Sequence, residues 1–292
     1  MIKYGNMHVD ERYSSIFEPN LFTNAWLVPG VTCTNKYQEG PAGGIYVHKL
    51  TGVAAATPGT PGRDFTHVAN ADELIPILLN NNFQKSRKLY GVQAAAVAAP
   101  LANESLSTVV QEIREGREYS ALACLITEGT AGASTTAVTA ENVKEMLLAE
   151  RAALSKAKGK ANVVLCSPDT YAAILSAAGK EFTPTRNERI QLAGQVGEWF
   201  GFTFIECNAL ASANAIEYYD YAGTKKSVTT ATLGAVDFVM YYSEALSVVD
   251  NLNALRIVES PDFIGSLAQS EVNTGYRVTN SALVRVKKHA SA

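Results

Sequence analysis

The sequence predicts a fold of the α+β class (mixed α/β), and three stretches indicate it. Residues 139–207 alternate between helical and strand patterns in the order helix, strand, helix, helix, strand. Residues 101–128 carry apolar side chains at helical spacing, which predicts one long helix. Residues 282–288 (ALVRVKK) place Ala282, Val284 and Val286 on one face and Leu283, Arg285 and Lys287 on the other, which is typical of a half-buried strand. Long helices and strands in one chain are stable only when they pack against each other as layers.

The stretch 139–207 has clear start and stop signals. Thr139 has the hydroxyl of an N-cap for a first helix, and Gly159 is predicted to end that helix. A short apolar strand is expected at 163–166. Ser167 is then predicted to cap a second helix, with a proline at its first position, and Gly179 is predicted to end it.

The rest of this half of the chain is predicted from similar patterns. Among its residues, the tyrosines at 218, 219 and 221 suit a sheet face or a subunit contact, or reflect plain strand propensity. The further elements expected are a helical segment at 187–200 and strands at 201–207, 216–221 and 235–242.

The long helix at 101–128 has one continuous apolar face. Asn103 or Ser105 is expected to cap its first turn. The residues expected on the buried face are Leu106, Val109, Val110, Ile113, Ala121, Cys124 and Leu125.

Two further features of this helix concern its exposed side and its stiffness. Arg114 and Glu118 are four residues apart, so they are expected to pair on the helix surface. Gly116 lies mid-helix, where glycine costs about 1 kcal/mol relative to alanine. It is either a point where the helix bends or a tolerated surface glycine.

The first 30 residues contain large apolar side chains without a regular period, and Pro19 and Pro29 interrupt any long helix. Such a segment cannot build a core of its own. It must either pack across its own domain or reach a neighbouring subunit.

Residues 31–80 are predicted to form a long extended hairpin. Its tip, TPGTPGRDF at 57–65, contains two Pro-Gly pairs, and each pair is a turn signal. A two-stranded ribbon is marginally stable alone, so this one needs a partner surface. His48 and His67 lie on opposite sides of the tip without a third ligand at suitable spacing, so no metal site is expected.

Three runs carry a resemblance to a known family: AERAALSKAKGKANVVLCSPDTYAAIL, GQVGEWFGFTFIECNAL and AVDFVMYYSEAL. Their order is similar to the central domain of the major capsid proteins of tailed bacteriophages. These have the Hong Kong 97-type fold, which bacterial encapsulins share. The resemblance implies an N-terminal arm at 1–30, an extended loop at 31–80, a peripheral domain at 81–130 and 255–292 with a spine helix at 101–128, and an axial domain at 131–254.

The resemblance also implies a structural function without a cofactor. The chain is expected to self-assemble, through hexamers and pentamers, into the icosahedral head shell that encloses the double-stranded DNA of a tailed phage. It would assemble in the host bacterial cytoplasm and reside in the virion, without a membrane. Since the sequence begins at Met1 without an extra N-terminal scaffolding domain, a separate scaffolding protein and a portal are the expected partners. In this family the spine helix bends in the precursor shell, which would make Gly116 the flexible point.

Two alternatives remain open from the sequence. One is an encapsulin-type nanocompartment, which has the same fold but encloses a protein cargo. The other is a soluble α/β enzyme that uses Cys166, because a thiol at a strand end before a helix N-terminus can become a nucleophile. None of the common catalytic or nucleotide-binding motifs is present, so no catalytic, metal or cofactor-binding residue is predicted.

Charge and composition are consistent with a protein that encloses nucleic acid without binding it tightly. The net charge is −3, whereas a protein that binds phosphate backbones tightly normally carries a basic excess. Contact with packaged DNA is therefore expected to be non-specific. Apolar residues make up 47% of the chain, so a packed core is expected, and charged residues make up only 18%. The small lysine clusters are expected to be solvated edges: Lys156/Lys158/Lys160, Lys225/Lys226 and Lys287/Lys288.

Overall fold

A computed structural model describes residues 26–37, 44–51, 71–90, 101–181 and 198–290. These residues form helices and sheets in comparable measure, so the predicted mixed α/β class is confirmed. The helices are α1 (Leu101–Glu128), α2 (Val143–Lys156), α3 (Pro168–Glu181) and α4 (Thr230–Ala235). Short 3-10 turns occur at Asn208–Ala211, Ser243–Ala245 and Ser281–Leu283.

The strands lie in four sheets. A two-stranded ribbon pairs β1 (Gly44–Thr51) with β2 (Ala71–Leu78), and another pairs β8 (Ile216–Tyr219) with β9 (Lys225–Val228). A three-stranded antiparallel sheet has the order β11 (Leu246–Glu259), β12 (Gly265–Val278), β3 (Asn81–Tyr90). A six-stranded mixed sheet has the order β4 (Thr130–Ala131), β13 (Val284–Lys288), β10 (Val236–Tyr241), β5 (Val163–Cys166), β7 (Phe202–Glu206), β6 (Glu198–Trp199).

The six-stranded sheet is covered on both faces, which explains why its central strands are continuously apolar. Every residue of β5 and β10 is buried, and alternate residues enter two different clusters. Val163, Leu165 and Val239 pack on the C-terminal half of α1, whereas Val164 and Met240 pack on α2 and α3. The period of two along each strand thus divides the core into two layers.

Helix α1 begins and ends at the predicted residues, and it joins the two large sheets. Its last turns, Ala121–Ile126, are buried against the six-stranded sheet, while Val109 and Ile113 pack on Phe83 and Val272 of the three-stranded sheet. The predicted ion pair between Arg114 and Glu118 is confirmed at 3.6 Å.

Two predictions about α1 are wrong. Val110, expected on the buried face, is 41% exposed because the buried stripe is narrow in the N-terminal half of the helix. Asn103 and Ser105 lie inside the helix, which already begins at Leu101, so neither caps it.

The C-terminal end of α1 carries a carboxylate, which the helix dipole disfavours at that position. Two groups of β12 offset the unfavourable negative charge of Glu128. Arg277 Nη1 donates to its Oε1 at 2.9 Å, and the Val278 N–H donates to its Oε2 at 3.0 Å. These contacts tie the end of the helix to the three-stranded sheet.

The boundaries of α2 and α3 differ from the prediction at two residues. Thr139 does not cap α2, because residues 139–142 form a turn in which Asn142 Oδ1 accepts the Thr139 N–H. Ser167 caps α3 as predicted, accepting the Thr170 N–H at 3.3 Å. Gly179 does not end α3, which continues to Glu181. A glycine weakens a helix without being sufficient to stop it.

The predicted helix at 187–200 falls largely on residues outside the described part of the chain. Its last part is wrong, because Glu198 and Trp199 form the edge strand β6 and pair antiparallel with β7. Phe200 and Gly201 make the turn, both with positive φ. The strands predicted at 163–166, 201–207, 216–221 and 235–242 are confirmed within one or two residues at each end.

The C-terminal strands take part in two different sheets. Strand β12 lies along α1 as expected, but β13 pairs with β10 and β4 in the six-stranded sheet. Val284 and Val286 of β13 also enter the core cluster that contains the C-terminal half of α1. An alternating pattern predicts a half-buried strand without indicating which sheet receives it.

Within the part of the chain that the structure describes, no helix combines the length and apolarity needed to cross a bilayer.

Candidate assembly surfaces

The ribbon of β1 and β2 is anchored at one end and exposed at the other. Ile77 is fully buried with Leu79 and Val249 at its base. The backbone approaches β12 closely there, since a Cβ at Gly275 would lie 2.7 Å from the Leu78 carbonyl oxygen. A side chain at this position would push the ribbon away from the sheet.

Away from this base, the ribbon presents apolar side chains to solvent. Tyr46 is 61% exposed and Leu74 is 54% exposed. His48 lies beside Leu74 in the cross-strand register, and its Nδ1 is 2.6 Å from Asp72 Oδ2. The antiparallel hairpin predicted for 31–80 is thus confirmed for its two arms, while its tip lies outside the described residues.

Residues 31–37, at the start of the predicted hairpin, do not belong to it. They form a turn on the protein core in which Cys33 is buried. The Thr34 N–H donates to the Leu246 carbonyl at 2.8 Å, and the Val248 N–H donates to the Thr34 carbonyl at 3.0 Å. Trp26 is 2% exposed, and its carbonyl accepts from Thr32 Oγ1. Trp26 therefore packs on the core of its own chain, whereas residues 28–30 are exposed. Residues 1–25 of the predicted arm lie outside the described residues.

The second apolar projection is the distal end of the β11–β12 ribbon. Ile264, in the loop between the strands, is 91% exposed. The neighbouring Phe263 ring packs against Tyr90 at a tilt of 49°, with 4.9 Å between centroids, and Lys88 Nζ lies 5.5 Å from the centre of the Phe263 ring. The other exposed apolar residues at this end are Leu255, Ile257 and Val258.

These exposed side chains make both projections candidates for burial against another molecule. Isolated apolar residues are common on protein surfaces, but clusters at the ends of extended ribbons are typical of interaction sites. Each Å² of apolar surface removed from water contributes about 25 cal/mol.

Comparison with known proteins identifies the fold. No protein-family model matches the sequence, and no curated protein matches it. Solved structures do match over nearly the whole length. A chain of Mycobacterium phage Che8 superposes with a TM-score of 0.70 and 15% identity, covering 98% of both chains. A chain from the capsid of Cyanophage P-SCSP1u gives 0.70 and 11%, covering 97% of this chain and 93% of that one. A chain from the capsid of an empty GTA particle gives 0.65 and 13%, covering 97% and 96%.

The chain has the Hong Kong 97-type fold.

In this Hong Kong 97-type chain, the three tyrosines in and just after β8 differ in exposure. Tyr218 is 2% exposed and its hydroxyl donates to Glu128, so it belongs to the core. Tyr219 and Tyr221 are exposed, and the Arg277 guanidinium lies 4.1 Å from the Tyr221 ring centre.

One of the lysine clusters is not a solvated edge. Lys287 is fully buried, and its Nζ donates to the carbonyl oxygens of Ser134 and Thr136 at 2.7 and 2.5 Å. Asp237 Oδ2 lies 3.9 Å from this Nζ. The other carboxylate oxygen, Asp237 Oδ1, lies 2.9 Å from His289 Nδ1. Burial lowers the pKa of Lys287 from its usual value, although Asp237 and Glu150 counteract this.

A second buried charge holds the same segment. Glu150 of α2 is 2% exposed. It accepts the Ala133 N–H at 2.7 Å and pairs with Arg285 Nε at 2.9 Å. Residues 130–136, which connect α1 to α2, are therefore fastened to β13 and α2 by Lys287 and Glu150.

The structure contradicts the enzyme hypothesis based on Cys166. This thiol is fully buried in β5, and burial raises its pKa well above the usual value, so it lacks the thiolate that a nucleophile needs. The expected lowering of its pKa by the helix N-terminus is wrong, because loss of water outweighs it. Cys33, Cys124 and Cys207 are also buried, and burial raises the pKa of each.

Each of the two described histidines pairs with an aspartate and not with Cys166. His48 pairs with Asp72 and His289 with Asp237. Within the described ranges, no group of three or more histidine, cysteine, aspartate or glutamate side chains is placed to hold a metal ion. His8 and His67 lie outside those ranges.

Proposed function

We propose that this chain is a major capsid protein that self-assembles into the icosahedral head shell around the double-stranded DNA of a tailed phage. The observation that carries the proposal is the extent of the structural likeness. It covers 98% of both chains for Mycobacterium phage Che8 and more than nine tenths of both chains for a cyanophage capsid.

The physical mechanism is association through several weak contacts. Tyr46 and Leu74 on one ribbon and Ile264 on the other are exposed in the single chain and would be buried on neighbouring copies. Each contact alone is small after the cost of ordering both partners. Many contacts per subunit in a closed lattice act together, so the shell is stable although each interface is modest.

The further partners follow from this role. Copies would group into hexamers and pentamers, with a separate scaffolding protein and a portal in the growing shell. The net charge of −3 suits an inner surface that touches double-stranded DNA only non-specifically, since few phosphate contacts must then be broken on release. Assembly would occur in the host cytoplasm, and the mature protein would reside in the virion. The role is structural and requires no catalytic residue.

Production of the full chain in bacteria, with and without a co-expressed candidate scaffolding protein, tests the proposal. We expect closed spherical particles in negative-stain micrographs, and nuclease-protected double-stranded DNA in particles isolated from phage-producing cells. A small soluble oligomer that never forms particles under either condition would contradict assembly. Particles that contain a protein cargo instead of DNA would favour the encapsulin-type nanocompartment.

A further inference from the structure

Strand β11 forms one edge of the three-stranded sheet, and most of that edge is open. On its inner side, β12 pairs with β11 from Leu246 to Glu259. On its outer side, Thr34 pairs with Ser247 through backbone bonds that end at Val248. Among the described residues, no strand pairs with this outer side beyond Val248. The outer edge therefore has backbone N–H and C=O groups that can pair with another strand.

The side chains along this open edge are mostly apolar. Leu255, Ile257 and Val258 are all exposed. Proteins usually protect an open strand edge with charged side chains or with proline. Arg256 does not protect this edge, because its Nε donates to Gln269 Oε1 on β12 at 3.0 Å and the guanidinium is directed into the sheet. This stretch of β11 is therefore suited to burial against a second strand.

Leu255 and Ile257 lie on the side of the sheet that carries α1. Their partners on β12 are Ser270 and Ala268, which are buried. These partners share a face with Val272, which packs on α1. Because α1 lies mainly over β12 and β3, it leaves the two side chains of β11 uncovered. Apolar side chains of a neighbouring strand can pack beside them on this face.

We propose that two copies of the chain pair through this edge, with the outer parts of their β11 strands antiparallel about a two-fold axis. The pairing joins two three-stranded sheets into one sheet of six strands. It brings the exposed apolar side chains of both copies together and gives the open backbone groups hydrogen-bond partners. The inference rests on the proposed function, in which copies of this chain contact each other, but it requires only two copies and no closed shell.

Symmetry and sequence restrict the register of this pairing. A two-fold axis between antiparallel strands places one residue opposite the same residue of the other copy. An axis at Arg256 would oppose two like charges, which is unfavourable. An axis at Leu255 would place the end of the other strand opposite the β-bulge that follows Asp250, where the ladder is disrupted. An axis at Ile257 avoids both, and it leaves more residues to pair than an axis closer to the strand end at Glu259.

Cysteine cross-linking of the full chain tests this register. Ile257→Cys places two thiols opposite each other, with about 4.5–5.5 Å between the Cα atoms, which a disulfide can span. The four native cysteines are buried and do not compete. We expect a disulfide-linked dimer after mild oxidation, seen by non-reducing electrophoresis, both in the unassembled chain and in any particles that it forms.

Val258→Cys is the matched control, because this residue is adjacent and also exposed. In the proposed register Val258 lies opposite Arg256, so two thiols at position 258 are diagonal neighbours with their Cα atoms about 7–8 Å apart. Since a disulfide does not span Cα atoms more than about 7 Å apart, we expect the Ile257→Cys dimer to form at least about tenfold faster.

Equal rates for the two variants would overturn the proposal, as would the absence of an Ile257→Cys dimer in both preparations. The result is separate from the proposed function. A rapid Ile257→Cys dimer from a chain that never forms particles would support the strand pairing and contradict the shell. Particles without this dimer would support the shell and contradict the pairing.

Discussion

At the level of single residues, the buried ammonium group of Lys287 determines where the α1–α2 connection lies. Its two carbonyl partners, Ser134 and Thr136, belong to a segment that has little regular secondary structure. Carbonyl groups in such a segment need a donor when water is excluded. The lysine supplies it, and Asp237 lies close enough to balance its charge.

Replacing Lys287 with methionine tests this role. Methionine keeps most of the side-chain volume but removes the donor, so the Ser134 and Thr136 carbonyls lose a hydrogen bond and Asp237 loses a nearby positive charge. We expect the free energy of unfolding of the unassembled chain to fall by about 2–4 kcal/mol. Chemical denaturation measures it. Lys288→Met, at the neighbouring half-buried position, is the matched control and should change stability by less than about 1 kcal/mol. Equal effects of the two substitutions would contradict a special role for Lys287.

At the level of elements, α1 is the part of the fold that touches both large sheets. Its C-terminal half is buried on the six-stranded sheet, and its N-terminal half lies on the three-stranded sheet. Gly116 lies between these two halves, and the helix runs through it without interruption. A Cβ at this position would lie 3.4 Å from Phe83 Cδ1, which is an ordinary packing distance. No steric reason therefore requires glycine in this conformation.

Gly116→Ala separates a bending role from a tolerated glycine. Alanine fits and favours the helix, so we expect the chain to be more stable by up to about 1 kcal/mol in thermal or chemical unfolding. If Gly116 is the point where α1 bends in a precursor shell, the alanine variant should also expand more slowly, as followed by light scattering. Expansion at the wild-type rate would show that the helix does not need this glycine to bend.

At the level of the whole molecule, the β1–β2 ribbon and the distal end of β11 and β12 carry apolar side chains that the described part of the chain leaves exposed. The clearest case is Ile264, which is 91% exposed at the end of the β11–β12 ribbon. A side chain this exposed contributes little to the stability of the single chain. Changes here should therefore affect association and leave the fold intact.

Ile264→Asp is expected to prevent particle formation while the unfolding midpoint of the unassembled chain stays unchanged. A buried unpaired carboxylate at a contact between copies would cost more than the contact contributes. Negative-stain microscopy and sedimentation measure the assembly. Ile264→Leu keeps the apolar surface and should assemble as wild type does. Normal particles from the aspartate variant would show that this end of the ribbon remains in water.

Local patterns in the sequence were sufficient for most of the elements. The bounds of α1, the all-apolar strand at 163–166 and the Ser167 cap follow from periodicity and from side-chain chemistry within a few residues. The Hong Kong 97-type fold followed from the order of such elements. Signals of this kind are local, because a cap or an alternation depends on neighbours in the chain.

The long-range pairings were decided only by the tertiary structure. The sequence determined that 284–288 is a strand, but its place beside β10 depends on contacts between distant residues. The sequence predicted an exposed Lys287 and an activated Cys166 thiol, but packing excludes water from both side chains. Burial arises when the layers pack against each other. For Lys287 and Cys166, the loss of water is the largest cause of the shift in pKa.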